Sequence, residues 1–479
     1  MSFAFSANLF RRILALGALF LFGSIPCMEF IESGSQFFEF IVPWLISLWW
    51  LYIFVGLVLL LPNMWLTYVQ ECFKRSVKWT LLEIRIPREH IKPPRAMEQV
   101  FMTMHAIRNS ASDLRENWWD GEVPLWFSCE AVSFGGEVHL YIRTPEVRKN
   151  HIEASFYASY PDIEIIEVKD YIDRLPPTFD ELTRADYRMF GNELILKNKD
   201  VYPIMTYEDF EVAVKEKEVD PVAALLETLR RIKPQEHLWM QILVRPKVEQ
   251  DIGFRSEDQI GDWHKEGEKE IEHIKEITGK RKIMSPTLGE FIMMDRSPGD
   301  VEMMKAIDRN ISKPGFNVII RYLYISPKEM FVSSFGRRSI LMAMNQYASE
   351  TFNKFGHNTA AWTLAKFWYW PHLFPKRRAR AKSIRIYENY RKRAMYAETF
   401  VGDFMNMKFF NFGFKQKRKT KVSLNTEELA TIFHLPTGQV VTGHLLKRSE
   451  AKKAGPPAEL PIFGEGGSDL PLERDDKDI

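Results

Sequence analysis

The sequence predicts an α+β protein with an N-terminal transmembrane helical hairpin, and three observations carry that prediction. Two long uncharged apolar stretches open the chain. Between residues 81 and 168 a strand–helix–strand–strand–helix–strand pattern follows. A looser repeat of it runs to about residue 365.

Sixteen uncharged residues separate Arg12 from Glu29, and thirty-one separate Glu39 from Glu71. A helix needs roughly 20 apolar residues to cross a bilayer core, so the second stretch is long enough to span. The expected spans are residues 13–28 and 40–61, within a membrane hairpin over 1–75. SIPCM (24–28) makes a poor small-residue cleavage site, which favours a first helix over a signal peptide. Arg11 and Arg12 precede the first stretch, and Lys74, Arg75 and Lys78 follow the second. The intervening loop holds Glu29, Glu32 and Glu39 without a basic residue. The positive-inside rule then places the rest of the chain in the cytoplasm. Trp44, Trp49, Trp50 and Trp65 are compatible with interfacial anchors.

LLEIRIP (81–87) alternates apolar and charged residues, as a half-buried strand does. After KPP, residues 95–108 put Met97, Val100, Phe101, Met104 and Ile107 on one helical face. Strands 124–134 and 137–143 flank Gly135-Gly136, a hairpin signal. Thr144-Pro145-Glu146 starts a helix, and DIEIIEV (162–168) closes the unit as a strand. The order βαββαβ is that of a ferredoxin-like unit, expected over 76–175. A second copy is expected over 190–365. Its strands fall near 201–207, at 237–246 and 316–325, and near 357–364. Its helices run from Pro221 to Ile232 and through 326–349. An insertion (247–314) with helices 256–279 and 300–312 is too long for a plain connection.

Catalytic signatures are missing. Gly279-Lys280 lacks the upstream glycine of a phosphate-cradling loop, and there is no HExxH, GxSxG or CxxC. Cys27, Cys72 and Cys129 make neither a disulfide framework nor a zinc site. Glu270 and His273 share a helical face but lack partner ligands on other helices. His105, His139 and His151 have no paired nucleophile. The sequence therefore predicts no enzyme, no metal and no cofactor.

Charge is segregated. Residues 376–421 hold fifteen Lys/Arg against three Asp/Glu, while the whole chain nets only +2. This basic segment (366–421) begins with the aromatic run KFWYWP (366–371). Three readings stand, in this order. It is a solvated connector, with Phe367, Trp368, Tyr369 and Trp370 plugging the preceding domain. It meets anionic lipid, or it meets nucleic acid through phosphate contacts and stacking. For the last two the residues are Lys376, Arg377, Arg378, Arg380, Lys382, Arg385, Arg391, Lys392 and Arg393. Near the end, LNTEELATIFHLP (424–436) reads as a capped helix: Asn425 or Thr426 caps, Glu427 and Glu428 fill the first turn, and Pro436 stops it.

Taken together, WTLLEIRIPREHIKPPRAMEQVF (79–101), VHLYIRTP (138–145), FGRRS (335–339) and LNTEELATIFHLPT resemble one family. It is the membrane-anchored N-terminal region of type IV secretion and conjugation-type (FtsK/HerA-like) ATPases, matched over roughly residues 38–460. In longer relatives the connector (here 422–462) leads into a motor with Walker A and B motifs. This sequence ends in an acidic tail (463–479), expected to be disordered, before any motor. The resemblance implies a membrane-tethered, non-catalytic scaffold that docks a separate P-loop ATPase. The partner contacts would be Phe335, Gly336, Arg337, Arg338, Asn425, Thr426, Glu427 and Glu428, with a homo-oligomer as a further expectation. The alternative is a membrane-attached nucleic-acid-binding protein acting through 376–421.

Overall fold

A computed structural model describes residues 47–87, 92–108, 113, 115–213, 220–247, 260–277, 281–285, 289–293, 297–349, 352–366, 372, 374–396 and 421–436. The first element, α1 (Trp49–Ser76), is the one helix among the described residues long and apolar enough to cross a membrane. Its first part leaves Trp49, Ile53, Phe54, Leu57 and Leu61 exposed. The expected two-span hairpin is not supported. The stretch 13–28 lies outside the described residues, and the second helix continues well past residue 61. The continuation has a physical cause: Leu66, Val69 and Gln70 are buried against the following domain, which holds the helix through Pro62 to Ser76.

The joint is tight. A π-helical turn, Glu116–Asp120, wraps the end of α1, and the Trp65 indole N–H donates to the Trp118 carbonyl at 2.8 Å. Gly121 ends that turn at φ +69°, and a Cβ there would lie 2.5 Å from the Val69 carbonyl carbon. Gly121→Ala therefore forces both a left-handed alanine and an overlap with backbone. We expect it to lower stability by about 1–3 kcal/mol, read as a lower denaturant midpoint with an unchanged slope.

Next come β1 (Trp79–Arg85), α2 (Arg95–Ala106), β2 (Phe127–Phe134), β3 (Glu137–Pro145), α3 (Lys149–Ser159) and β4 (Glu164–Glu167). The chain continues through α4 (Phe179–Arg184), β5 (Tyr187–Leu196), α5 (Tyr207–Ala213), α6 (Ala223–Arg230) and β6 (His237–Pro246). An excursion follows: α7 (Ile260–Ile277), the hairpin β7 (Arg281–Ser285) and β8 (Gly289–Met293), and α8 (Pro298–Ser312). The last elements are β9 (Gly315–Pro327), α9 (Ser333–Met344), β10 (Phe355–His357), α10 (Pro375–Lys392), β11 (Val422–Asn425) and α11 (Thr426–Ile432).

Nine strands form one antiparallel sheet in the order β10-β5-β9-β6-β2-β3-β1-β4, with β11 also beside β9. Each half places its own strands in the order fourth, first, third, second. The halves join where Phe127–Phe134 of β2 pairs with His237–Val244 of β6. Among the described residues the second half starts at β5, not near 201–207, and its last strand is the short β10. Pro203 breaks the 201–207 stretch, whose Val201 and Ile204 are buried without strand pairing.

Strand alternation sends Cys129, Ala131, Met240, Ile242, Ile320 and Tyr322 to one face, under α2, α3, α6 and α9. The opposite face carries Val132, Tyr141, Trp239, Leu323 and Ile325. It is covered by residues 171–184 and by α10, through Tyr171, Leu175, Leu182, Ile386, Tyr387 and Tyr390. The sheet is thus the middle of three layers.

Candidate functional site

The basic segment builds the outer layer of the fold. Pro375 occupies the first turn of α10, where its missing N–H does no harm. Ser383, Ile386, Tyr387 and Tyr390 recur at helical spacing and bury a stripe among otherwise basic residues. The helix ends at Arg393 with φ +48°, and the Arg393 side chain turns inward.

Beneath it lies a polar row. Glu83, Tyr141, Glu130, Gln241, Arg321 and Glu193 stand directly opposite one another across β1, β3, β2, β6, β9 and β5. All six are buried. Arg321 donates to Glu193 at 2.9 Å and to the Gln241 amide oxygen at 3.3 Å. Gln241 donates to Glu130 at 3.1 Å, and the Tyr171 hydroxyl donates to Glu130 at 2.7 Å. Arg393 forks onto Glu130 at 2.6 and 3.0 Å, and its other edge reaches Asp170 at 2.5 and 3.0 Å. At the far end His139 Nδ1 lies 2.7 Å from Glu83.

Burial alone would lower the Arg393 pKa, but the Glu130 charge holds it well above the ordinary arginine value. Burial, then Glu130, pushes the Tyr171 phenol far up, so it stays a neutral donor. Burial and Arg174 take His237 down to about 4, leaving it uncharged at neutral pH. The row lies on the face covered by residues 171–184 and α10, and its charges are paired. Its chemistry is that of a lock: a one-residue slip of any strand would turn its member to the apolar face. Sequence reasoning missed this row. The signal was there in single polar residues at strand centres, Glu130 in FSCEAVSF and Arg321 in FNVIIRYLYI.

LNTEELATIFHLP forms a second buried assembly. β11 pairs with the start of β9, and every residue from Val422 to Pro436 is buried. Asn425 caps α11 by accepting from the Glu428 amide at 2.7 Å, and Glu428 accepts from the Asn425 amide at 2.9 Å. The other Glu428 oxygen accepts from the Ile204 amide at 2.9 Å. Thr426 donates to Glu98 at 3.0 Å, Lys313 reaches both Glu98 and Glu427 at 2.8 Å, and Arg309 also pairs with Glu427. His434 lies between the Ala430 carbonyl and Asp220, 2.8 Å from each.

Burial pushes the Glu428 carboxyl up to about 8 against its two amide donors, with Glu427 and Asp200 adding to the rise. The folded chain therefore keeps a proton that the unfolded chain loses near 4.5, and unfolding releases it. Stability contributed by this group is full below about pH 4.5 and is lost as pH rises to about 8, a change on the order of a few kcal/mol. Denaturant unfolding across that range should show the decline, and Glu428→Gln should flatten it.

The sites read from the sequence are distributed as follows. Lys376, Arg377, Arg380 and Lys392 are exposed, Arg380 pairing with Asp180 at 2.9 Å. Arg378, Lys382 and Arg385 are half-buried, and Lys382 donates to the Thr359 carbonyl. Arg391 donates to the carbonyls of Ile172, Leu175 and Pro176. Arg393 is inside, with Glu130 and Asp170. The strip's helix is therefore not a solvated connector, while Phe367–Trp370 and 397–420 lie outside the described residues. Phe335 packs edge-on to Tyr324, Gly336 is buried against the same ring, Arg337 is half-buried and Arg338 is exposed. Asn425, Thr426, Glu427 and Glu428 are interior residues, so they present nothing to a partner. Residues 437–479 lie outside the described residues. Among the described residues no group of three or more His, Cys, Asp and Glu is placed to hold a metal ion; Glu270 pairs with Lys199.

A family model described as a domain of unknown function, DUF8128, matches residues 67–447. The chain belongs to the DUF8128 family. The DUF8128 match starts within α1, two residues after Trp65, and runs past Pro436. It takes in both halves of the sheet, α10, and the buried segment 421–436. No curated protein matches this DUF8128 chain.

Proposed function

We propose that this DUF8128 chain is a membrane-tethered, non-catalytic cytoplasmic scaffold of a type IV secretion- or conjugation-like translocation machine, docking a separate P-loop motor ATPase. The observation that carries the reading is the burial of residues 422–436. The segment resembling a lead-in to a motor is part of the domain's core, so whatever lies beyond Pro436 leaves from a fixed point. At the other end α1 enters through the close-packed joint at Leu66–Gln70 and Gly121. A body rigid at both attachments suits transmission of position from membrane to motor.

Each half is read as a ferredoxin-like unit, supported by the order β4-β1-β3-β2 and its repeat β10-β5-β9-β6. Cytoplasmic placement is supported by Lys74, Arg75 and Lys78 after the apolar part of α1. The partner surface shifts to exposed cations, chiefly Arg338 on α9, since 425–428 are enclosed.

The test is affinity purification of the tagged full-length protein from its native cell in mild detergent, with mass spectrometry of its companions. A stoichiometric P-loop ATPase, lost with Arg338→Glu, is the expected result. Recovery of the chain alone, only as a homo-oligomer, or with nucleic acid only would overturn the scaffold reading.

A further inference from the structure

The exposed aromatics of α1 continue beyond its apolar run and are joined by one from another part of the chain. Trp65 and Tyr68 follow Leu61 on the outer face of the helix, and Leu66 and Val69 take the inner one. Trp119, from the π-helical turn, is 72% exposed, Tyr68 64% and Trp65 46%. The Trp65 ring lies 6.1 Å from Trp119, edge to face, and 6.2 Å from Tyr68. An indole this exposed on a folded domain lacks a core to explain it.

We propose that Trp65, Tyr68 and Trp119 form a lipid-facing collar that seats the first half of the domain on the headgroup zone of the bilayer. The inference rests on reading α1 as a membrane span. Depth supports it: Trp65 is four residues past Leu61, about 6 Å along a helix. The polar zone on each side of a hydrocarbon core is roughly 5–7 Å thick. The collar thus falls where tryptophan and tyrosine collect, with apolar rings and a polar edge both satisfied.

The turn is built to hold this position. Trp65 uses its one N–H on the Trp118 carbonyl, Asn117 is buried beneath, and Gly121 lets the turn approach Val69. Charge is not what draws it to lipid. Exposed Arg115 and Asp120 and half-exposed Glu116 and Glu122 surround Trp119 with mixed sign. The Glu122 carboxyl is raised, by burial first and then by Glu116. The collar should therefore engage zwitterionic and anionic bilayers alike.

The test uses the full-length chain reconstituted in vesicles of phosphatidylcholine, with and without phosphatidylserine. Cys27 and Cys72 are replaced by serine; Cys129 is buried, its thiol pushed up by burial, and stays unlabelled. An environment-sensitive fluorophore goes on Asp120→Cys, Phe54→Cys or Met342→Cys, all exposed positions. The 120 probe should shift to the blue and be quenched several-fold more by headgroup-labelled than by mid-chain-labelled lipid. The 54 probe should show the reverse, and the 342 probe on α9 should stay unquenched. Adding Trp119→Ala should remove most of the quenching at 120.

A 120 probe that behaves like the 342 probe, while 54 reports depth, overturns the collar and leaves the span intact. Failure at 54 overturns the span itself. A shift at 120 that grows with protein-to-lipid ratio means a second copy covers the collar, which also overturns the proposal.

Discussion

Replacing Arg393 by methionine should destabilise the fold by about 3–5 kcal/mol, the largest single-residue effect expected here. The guanidinium is buried and answers two carboxylates, Glu130 at 2.6 Å and Asp170 at 2.5 Å. Burial pushes the Asp170 carboxyl up, but the Arg393 bond and charge bring it below its ordinary value. Removing the cation leaves Glu130 enclosed with only neutral donors from Tyr171, Ser128 and Gln241. Urea unfolding of the detergent-solubilised chain measures the loss. Adding Glu130→Gln to Arg393→Met should recover part of it, because an uncharged amide tolerates the site better. A single variant as stable as the parent would refute the ion-pair account of how α10 is held.

Leu429→Ala should cost about 2–5 kcal/mol, the range for emptying a fully buried leucine site. Leu429 is fully buried in α11, on a segment whose Leu424, Ile432, Phe433 and Leu435 are enclosed as well. A solvated connector would show no such penalty. The same variant should make the region around 421–436 cleavable by protease in the native state, since loosening this insert frees the chain end. Unchanged midpoint and protection would mean that the segment does not contribute to the core.

Much of the first half was legible because its strands have one apolar face and its turns have plain chemistry. The hairpin at Gly135-Gly136 fell where expected, both glycines adopting positive φ, and α2 began at residue 95 as read. β5 was illegible for a specific reason. Asn192 and Glu193 sit mid-strand in YRMFGNELIL, and such a run looks like a polar loop. Glu193 is buried because Arg321 answers it under α10, and Asn192, on the opposite face, is buried against His357 of β10. A partner 128 residues away in sequence cannot be seen by local periodicity. The same blindness hid α10: its mean composition is that of a solvated helix, and only Ser383, Ile386, Tyr387 and Tyr390 betray a buried side. The cap at Asn425 was readable from spacing, but its depth was not. Thr426, Glu427 and Glu428 are hydrophilic by type, and their partners come from three distant places: Glu98, the Ile204 amide, and Arg309 with Lys313 at the end of α8.

The ends of the sheet carry a consequence for crowding. β4 pairs with β1 over only four residues and places Glu164 and Glu167 at its rim; β10 contributes three residues. Chains confined to a plane meet one another at high effective concentration. Long open rims would then zip neighbouring copies into ribbons. Among the described residues both rims of this sheet are short and one is charged, so the sheet itself offers little backbone through which neighbouring copies would polymerise.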